Sequence, residues 1–209
     1  MRIQGTHRRR LPVALAMLGA AVLLAGCAPQ NPAITGLEPV EFPEPAAVEP
    51  GTALAFGDAV WVEQASAGET YLLGVAVLDI VEGESWIWKD FLNTDELLDY
   101  TPYFVIVQRQ WLSADEKYDI SLYPLLSDGT PGFLMETEAE GAVNPATCEE
   151  FNIGLPRLDD PVQRFDCMLT AAPKGLSVTG VVYDGTFARE QGNVDPTAYL
   201  EAPVIWTSE

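Results

Sequence analysis

The chain has 209 residues, 48% of them hydrophobic, enough for one domain with a substantial core. Its 31 acidic residues against 11 basic ones leave a net charge of −20, which excludes a nucleic-acid phosphate backbone as partner. The only histidine is His7, so the rest of the chain holds no Ser-His-Asp or Cys-His catalytic set and no histidine-ligated zinc, copper or iron.

Arg2, Arg8, Arg9 and Arg10 make a basic start, and Leu11 to Leu23 an apolar run. That run is shorter than the ~20 residues a spanning helix needs. A basic start, a short apolar core and small residues before a cut read as a secretory signal peptide over residues 1–26. Leu24-Ala25-Gly26-Cys27 resembles the lipobox of bacterial lipoproteins. The resemblance implies cleavage after Gly26 and a diacylglycerol thioether on Cys27. Two acyl chains hold stably where one binds only marginally, so the expected location is the extracytoplasmic face of a cell membrane, lipid-anchored. From Cys27 onward seven basic residues face 31 acidic ones, a net charge of about −24. Anionic headgroups repel such a domain. The ordinary reading of this charge is solubility outside the cell; the sharper ones are a cationic partner or a calcium site.

Residues 27–50 read as the lipidated cysteine and a linker. Pro29, Pro32, Pro39, Pro43, Pro45 and Pro50 alternate with Glu38, Glu41, Glu44 and Glu49. Proline-rich chain is extended at ~3.1 Å per residue, giving a tether of up to ~70 Å. From Gly51 to Glu209 the pattern changes to alternating apolar residues broken by Gly, Asp and Pro, the expected folded domain.

Ala53 to Gln64 predicts a first strand, with Val60 and Val62 on one face and Trp61 on the other. Thr70 to Val81 predicts a second, with Leu72, Gly74, Ala76, Leu78 and Ile80 alternating against Leu73, Val75, Val77 and Asp79. Apolar residues on both faces mark it as central. Glu82 to Thr101 is less regular, and Asn93 or Thr94 could cap a short helical turn. Pro102 to Leu112 is the clearest strand: Tyr103, Val105, Val107 and Arg109 share one face, Phe104, Ile106, Gln108, Gln110 and Leu112 the other. A turn follows at Ser113 to Glu116. Lys117 to Leu126 is the next strand, closed by the hairpin signal Ser127-Asp128-Gly129 with a return strand over Gly132 to Glu136. Glu138 to Asp160 reads as an acidic loop. Val162 to Thr170 is a strand with Phe165, Cys167 and Leu169 on one face. Pro173-Lys174-Gly175 turns the chain into a strand over Leu176 to Tyr183, ended by Asp184-Gly185. Tyr199 to Thr207 is the last strand, with Val204 and Trp206 sharing a face.

Seven to nine short, turn-separated strands predict an all-β, antiparallel β-sandwich, with an open barrel as runner-up. Once Cys27 is lipidated, Cys148 and Cys167 permit one pairing. They are too close in sequence for the long-range bridge of antibody domains and are expected to staple a late loop to the next strand.

With the lipobox, Phe56-Gly57-Asp58, Tyr100 to Val105, Ser127-Asp128-Gly129, the cysteine pair and the Val204-Ile205-Trp206 end, the chain resembles a group of actinobacterial lipoproteins. These carry an immunoglobulin-like, telokin-like domain of unknown function. The resemblance covers roughly Ala53 to Trp206. It implies an immunoglobulin-like sandwich in the cell envelope and carries over no catalytic residues.

The remaining residues suggest three kinds of site. Trp86 and Trp88 would share a face if extended and could form a platform for a sugar ring or partner chain; the plainer reading folds them over an end of the sandwich. Glu136, Glu138, Glu140, Glu149, Glu150, Asp159 and Asp160 could supply several of the six to eight oxygens calcium needs; the plainer reading is a solvated acidic edge. No EF-hand loop is present. Carboxylate pairs could hydrolyse glycosides, but nothing marks one pair out. Arg109, mid-strand among apolar residues, is expected to pair with a carboxylate across the sheet. The leading expectation is a non-catalytic binding or envelope-organising module without a cofactor, its partner an envelope protein, glycan or small ligand. The alternative is a calcium- or small-ligand receptor using the acidic loops, and a carboxylate-dependent hydrolase ranks third.

Overall fold

A computed structural model describes residues 34, 36–66, 69–91, 94–113, 120, 122–139, 142–145, 148–151, 154–185 and 197–208. The leader, Cys27, Glu140 and residues 114–116 of the expected turn lie outside the described residues. The strands are β1 (Ala53–Ala55), β2 (Ala59–Ser66), β3 (Glu69–Glu82), β4 (Tyr100–Gln110), β5 (Tyr123–Leu126), β6 (Phe133–Leu134), β7 (Glu136–Ala139), β8 (Ala142–Pro145), β9 (Gln163–Pro173), β10 (Val178–Tyr183) and β11 (Val204–Thr207). Short helical turns are 3₁₀ at Ser85–Asp90 and Cys148–Phe151, and α-helical at α1 (Thr94–Leu97) and α2 (Thr197–Glu201).

Nine of these strands build two sheets, ordered β2-β3-β4-β9-β6 and β1-β11-β10-β5; β7 and β8 pair only with each other. The domain is an all-β sandwich. Strands β3, β4, β9 and β6 stand in the A-B-E-D order of an immunoglobulin constant-type sheet, and β5, β10 and β11 in the C-F-G order of its partner. Two features are added. Strand β2 extends the first sheet, and β1 joins the far edge of the second by pairing parallel to β11.

The inter-sheet core follows from alternation. Val62, Leu73, Val75, Val77, Val105 and Val107 from the first sheet meet Val181, Tyr183, Val204 and Trp206 from the second. The outer face of the first sheet is also apolar and also covered. Phe104, Ile106, Cys167 and Leu169 there lie under Ile34, Ile87, Trp88, Leu97, Cys148 and Phe151. The molecule thus has two sheets and a third, irregular layer. That layer explains why β4 is buried along nearly its whole length.

Part of the cover is the proline-rich segment. Val40 pairs with the Gln108 carboxamide, Trp61 Nε1 donates to the Pro43 carbonyl at 2.8 Å, and Val48 N–H donates to the Trp61 carbonyl at 2.7 Å. The Phe42 ring meets Trp61 edge-on. The linker boundary expected at Gly51 therefore moves: folded chain reaches back at least to Ile34, which is buried. Apolar Ile34, Leu37, Phe42 and Val48 gain more by covering the sheet than the prolines gain by staying extended in water.

Four other expectations are corrected. Ala53 to Gln64 is two strands in different sheets. They are split at Gly57, whose φ of 91° suits glycine, with Asp58 Oδ2 accepting the Ala55 N–H at 2.8 Å. In β3 a bulge between Val77 and Asp79 shifts the alternation, so Ile80 packs against the inter-sheet core. The Ser127-Asp128-Gly129 turn forms, with Thr130 N–H and Oγ1 both bonded to Asp128 Oδ1, which holds that carboxyl below its usual range. The strand after it, β6, leaves its hairpin neighbour and pairs with β9 in the other sheet. The first half of the last expected strand is α2, because Tyr199 and Ala202 turn helically before β11 begins.

Candidate functional site

A groove of about 510 Å³ runs beside the disulfide, lined by residues 154–158, by Gln163 to Cys167 of β9, and by Cys148. Its construction is local. Cys148 and Cys167 are bonded, with Cα atoms 5.5 Å apart. This ties the 3₁₀ turn Cys148–Phe151 to β9, the loop-to-strand staple the sequence suggested. Phe151 then anchors that turn, stacking on Phe91 with ring centroids 6.1 Å apart and tilting over Phe104 at the same distance. Leu155 packs against the same apolar layer. The chain returns through Asp160, whose carboxylate accepts the Val162 N–H, into β9.

One rim of the groove is charged. Arg109 on β4 stands directly opposite Arg164 on β9. Like charges in that position repel. Asp166, two residues along the same face, resolves the conflict: its Oδ2 accepts from Nε of both arginines. Both guanidinium groups also lie over the Trp111 ring, at 5.5 and 5.0 Å from its centroid, within cation–π range. Arg109 is nearly buried, whereas 44% of the Arg164 side chain is exposed. Arg157 is exposed and lines the same groove. Two of the seven basic residues after Cys27, Arg157 and Arg164, thus line the groove of a strongly acidic chain.

The other rim is main chain. Trp111 N–H donates to the Val162 carbonyl and Met135 N–H to the Leu169 carbonyl. In an antiparallel pair successive residues turn their main-chain groups to opposite sides. Gln163, Phe165, Cys167 and Leu169 therefore point theirs away from β4. Strand β6 meets only residues 170 and 171, and among the described residues no strand pairs with β9 from Gln163 to Met168.

The groove offers guanidinium groups, a carboxylate already paired with two arginines, an apolar wall and a strand edge.

The sequence-based candidates fare differently. Arg109 finds its carboxylate partner in Asp166. Trp86 and Trp88 form no exposed platform: they sit in a 3₁₀ turn instead of a strand, Trp88 is fully buried, and its Nε1 donates to the Tyr100 carbonyl at 3.1 Å. Trp86 is half-buried, and its Nε1 has no acceptor among the described residues. Glu136 and Glu138 fall on β7, Glu149 and Glu150 in the turn Cys148–Phe151, and Asp159 and Asp160 are exposed before β9. The acidic stretch is not one loop, since β7 and β8 form a hairpin within it. Among the described residues no three His, Cys, Asp or Glu are grouped to hold a metal ion. Also among the described residues, no helix is long and apolar enough to cross a membrane. The groove itself was not foreseen. The available signal was Arg164 and Asp166 at strand spacing beside a cysteine, in register with Arg109.

No family model, no curated protein and no solved structure matches the chain.

Proposed function

We infer that this is a membrane-anchored extracytoplasmic lipoprotein whose sandwich domain is a non-catalytic binding module, with the groove beside Cys148–Cys167 as its binding site. The observation that carries the reading is the groove's lining: arginines, an apolar wall and main-chain groups. The lipobox at Leu24 to Cys27 and a disulfide suited to an oxidising compartment support the location. The resemblance to envelope lipoproteins with an immunoglobulin-like domain agrees with both. Because Ile34 is packed into the fold, the tether is short. Seven residues beyond Cys27 reach at most ~25 Å, so the domain works close to the membrane surface.

Two measurements test this. Replacing Cys27 with Ser should release the protein from membranes and abolish incorporation of labelled palmitate; a variant that still sediments with membranes, with no palmitate in the wild type, refutes the anchor. For the groove, a Cβ at Gly154 meets nothing within 4 Å, so Gly154→Trp should fill the space without disturbing the core. An envelope peptide or glycan bound by the wild type should be lost in this variant. A ligand retained at full affinity would move the site elsewhere.

A further inference from the structure

The outer face of the first sheet carries a notch that the chain fills with its own segment. Trp61 of β2, Gly74 of β3 and Gln110 of β4 stand in register as one row across three strands. The glycine leaves a gap between two large side chains. The Phe42 ring occupies it: a Cβ on Gly74 would lie 2.8 Å from two carbons of that ring and 3.1 Å from the Gln110 Cβ. Glycine inside a strand weakens it and often marks a place where another group approaches closely. Here that group is Phe42, which also meets Trp61 edge-on with ring centroids 5.8 Å apart.

Residues of the sheet read the main chain on either side of this ring. Gln108, on the same face as Gln110, bonds both the N–H and the carbonyl of Val40. The Trp61 indole donates to the Pro43 carbonyl, and the Trp61 carbonyl accepts the Val48 N–H. Among the described residues of the segment only one bridge, Ala47 to Trp61, resembles strand pairing. Pro39, Pro43 and Pro45 have no N–H to offer, and these contacts ask for none. Glu38, Glu41, Glu44 and Glu49 are exposed, so the fit rests on the ring and the main chain. Aromatic-lined surfaces that grip proline-rich chain in this way are a recurrent means of recognising a peptide from another molecule. We propose that the face formed by Trp61, Gly74 and Gln108 is a recognition site for a proline-rich segment with an aromatic–proline pair, filled in this molecule by the chain's own residues 40–48. None of the three lines the groove beside the disulfide, so this is a second site. The competing idea is that residues 40–48 are an inseparable layer of the fold.

The test uses the full chain with Val40→Pro and Phe42→Ala together, which weakens the chain's own segment and leaves the sheet residues intact. A synthetic peptide of residues 36–49 is added at about 5 mM, above the roughly millimolar effective concentration of a segment on a short flexible tether. It should return the Gly74 amide resonance toward its wild-type position and slow exchange of the Trp61 Nε1 proton. The same peptide carrying Phe42→Ala should do neither. No response in the folded variant, or an equal response to both peptides, overturns the proposal. Should the variant fail to fold, exchange in the unaltered chain decides. The Val40 and Val48 amides should exchange at least about tenfold faster than that of Val75 in β3, through local opening of the segment. Equal rates would mean that the segment leaves only when the whole domain unfolds, and would refute a separable site.

Discussion

The carboxamide of Gln108 pairs with both main-chain groups of Val40: Oε1 accepts the Val40 N–H at 2.7 Å, and Nε2 donates to the Val40 carbonyl at 3.2 Å. A side chain here does what a neighbouring strand would do. Nε2 also donates to Gln163 Oε1 at 2.8 Å, linking the cover to β9 at the mouth of the groove. Gln108 is fully buried. Gln108→Leu should therefore cost about 1–3 kcal/mol, because it strands polar groups that were paired. Urea unfolding measures the loss. Amide exchange at Val40 should rise while exchange in β4 and β9 changes little; an unchanged Val40 would show that the apolar contacts alone hold the segment down.

The disulfide closes a loop with a sequence separation of 19. Chain entropy gives about 3 kcal/mol for a loop of that size. Replacing both cysteines with Ala should lower stability by that order and loosen residues 148–158 ahead of the rest, because Phe151 and Leu155 would lose their covalent anchor to β9. Native-state exchange distinguishes this from uniform destabilisation. Free-thiol titration of the unreduced, unfolded protein should find neither Cys148 nor Cys167 reactive.

Alkaline pH should unfold the protein through its buried tyrosines. Burial pushes the Tyr183 hydroxyl far above its usual value, and the neighbouring Tyr199 adds to the shift. Its O–H donates to the Glu63 carbonyl at 2.7 Å. Tyr103 and Tyr199 are raised too, chiefly by burial. In the unfolded chain these groups release protons near pH 10, while the folded chain still holds them. Stability is then fully present below about pH 10 and falls above it, by about 1.4 kcal/mol per pH unit for each tyrosine so held. Tyr183→Phe should make the decline shallower while costing a hydrogen bond at neutral pH. An unaltered slope would mean that Tyr183 ionises freely in the native state.

Two glycines should respond oppositely to the same change. A Cβ on Gly180 would stand 2.5 Å from the Trp206 carbonyl oxygen, across the β10–β11 ladder. Main chain cannot step aside cheaply, so Gly180→Ala should cost about 1–3 kcal/mol. Gly154→Ala meets open space in the groove and should leave the melting temperature nearly unchanged. Thermal unfolding of the two variants side by side decides it.

The central strands were legible because burial on both faces leaves a near-continuous apolar run. The runs from Thr70 and Pro102 gave β3 and β4 to within two residues at each end. The same runs carried a message that was harder to read: a strand apolar on both faces needs cover on both. Residues 34, 36–48 and 85–91 provide that cover, but they have neither helical nor strand period, and prolines disguise the first stretch as a tether. The Trp86 and Trp88 platform failed for a related reason. Side chains two apart share a face only in extended chain, and Ser85–Asp90 is wound. Arg109 was readable as half of an ion pair because a charge amid valines demands a partner. Its second neighbour, Arg164, became visible only with the β4–β9 register. The groove depends on where β6 stops pairing, a tertiary fact with no local signal.

Strand β1 lies parallel to β11, with Ala53 opposite Ile205 and Leu54 opposite Trp206. The first strand of the sandwich is therefore completed by its last. At synthesis rates of about 5–20 residues per second, the roughly 150 residues between them take on the order of 10–30 s to appear. Until then β1 lacks its partner strand, and the core lacks Trp206, which is fully buried in the finished fold. The β1 edge of the four-stranded sheet can therefore form only once residues 204–207 are present, which makes its closure a late event in the life of the chain.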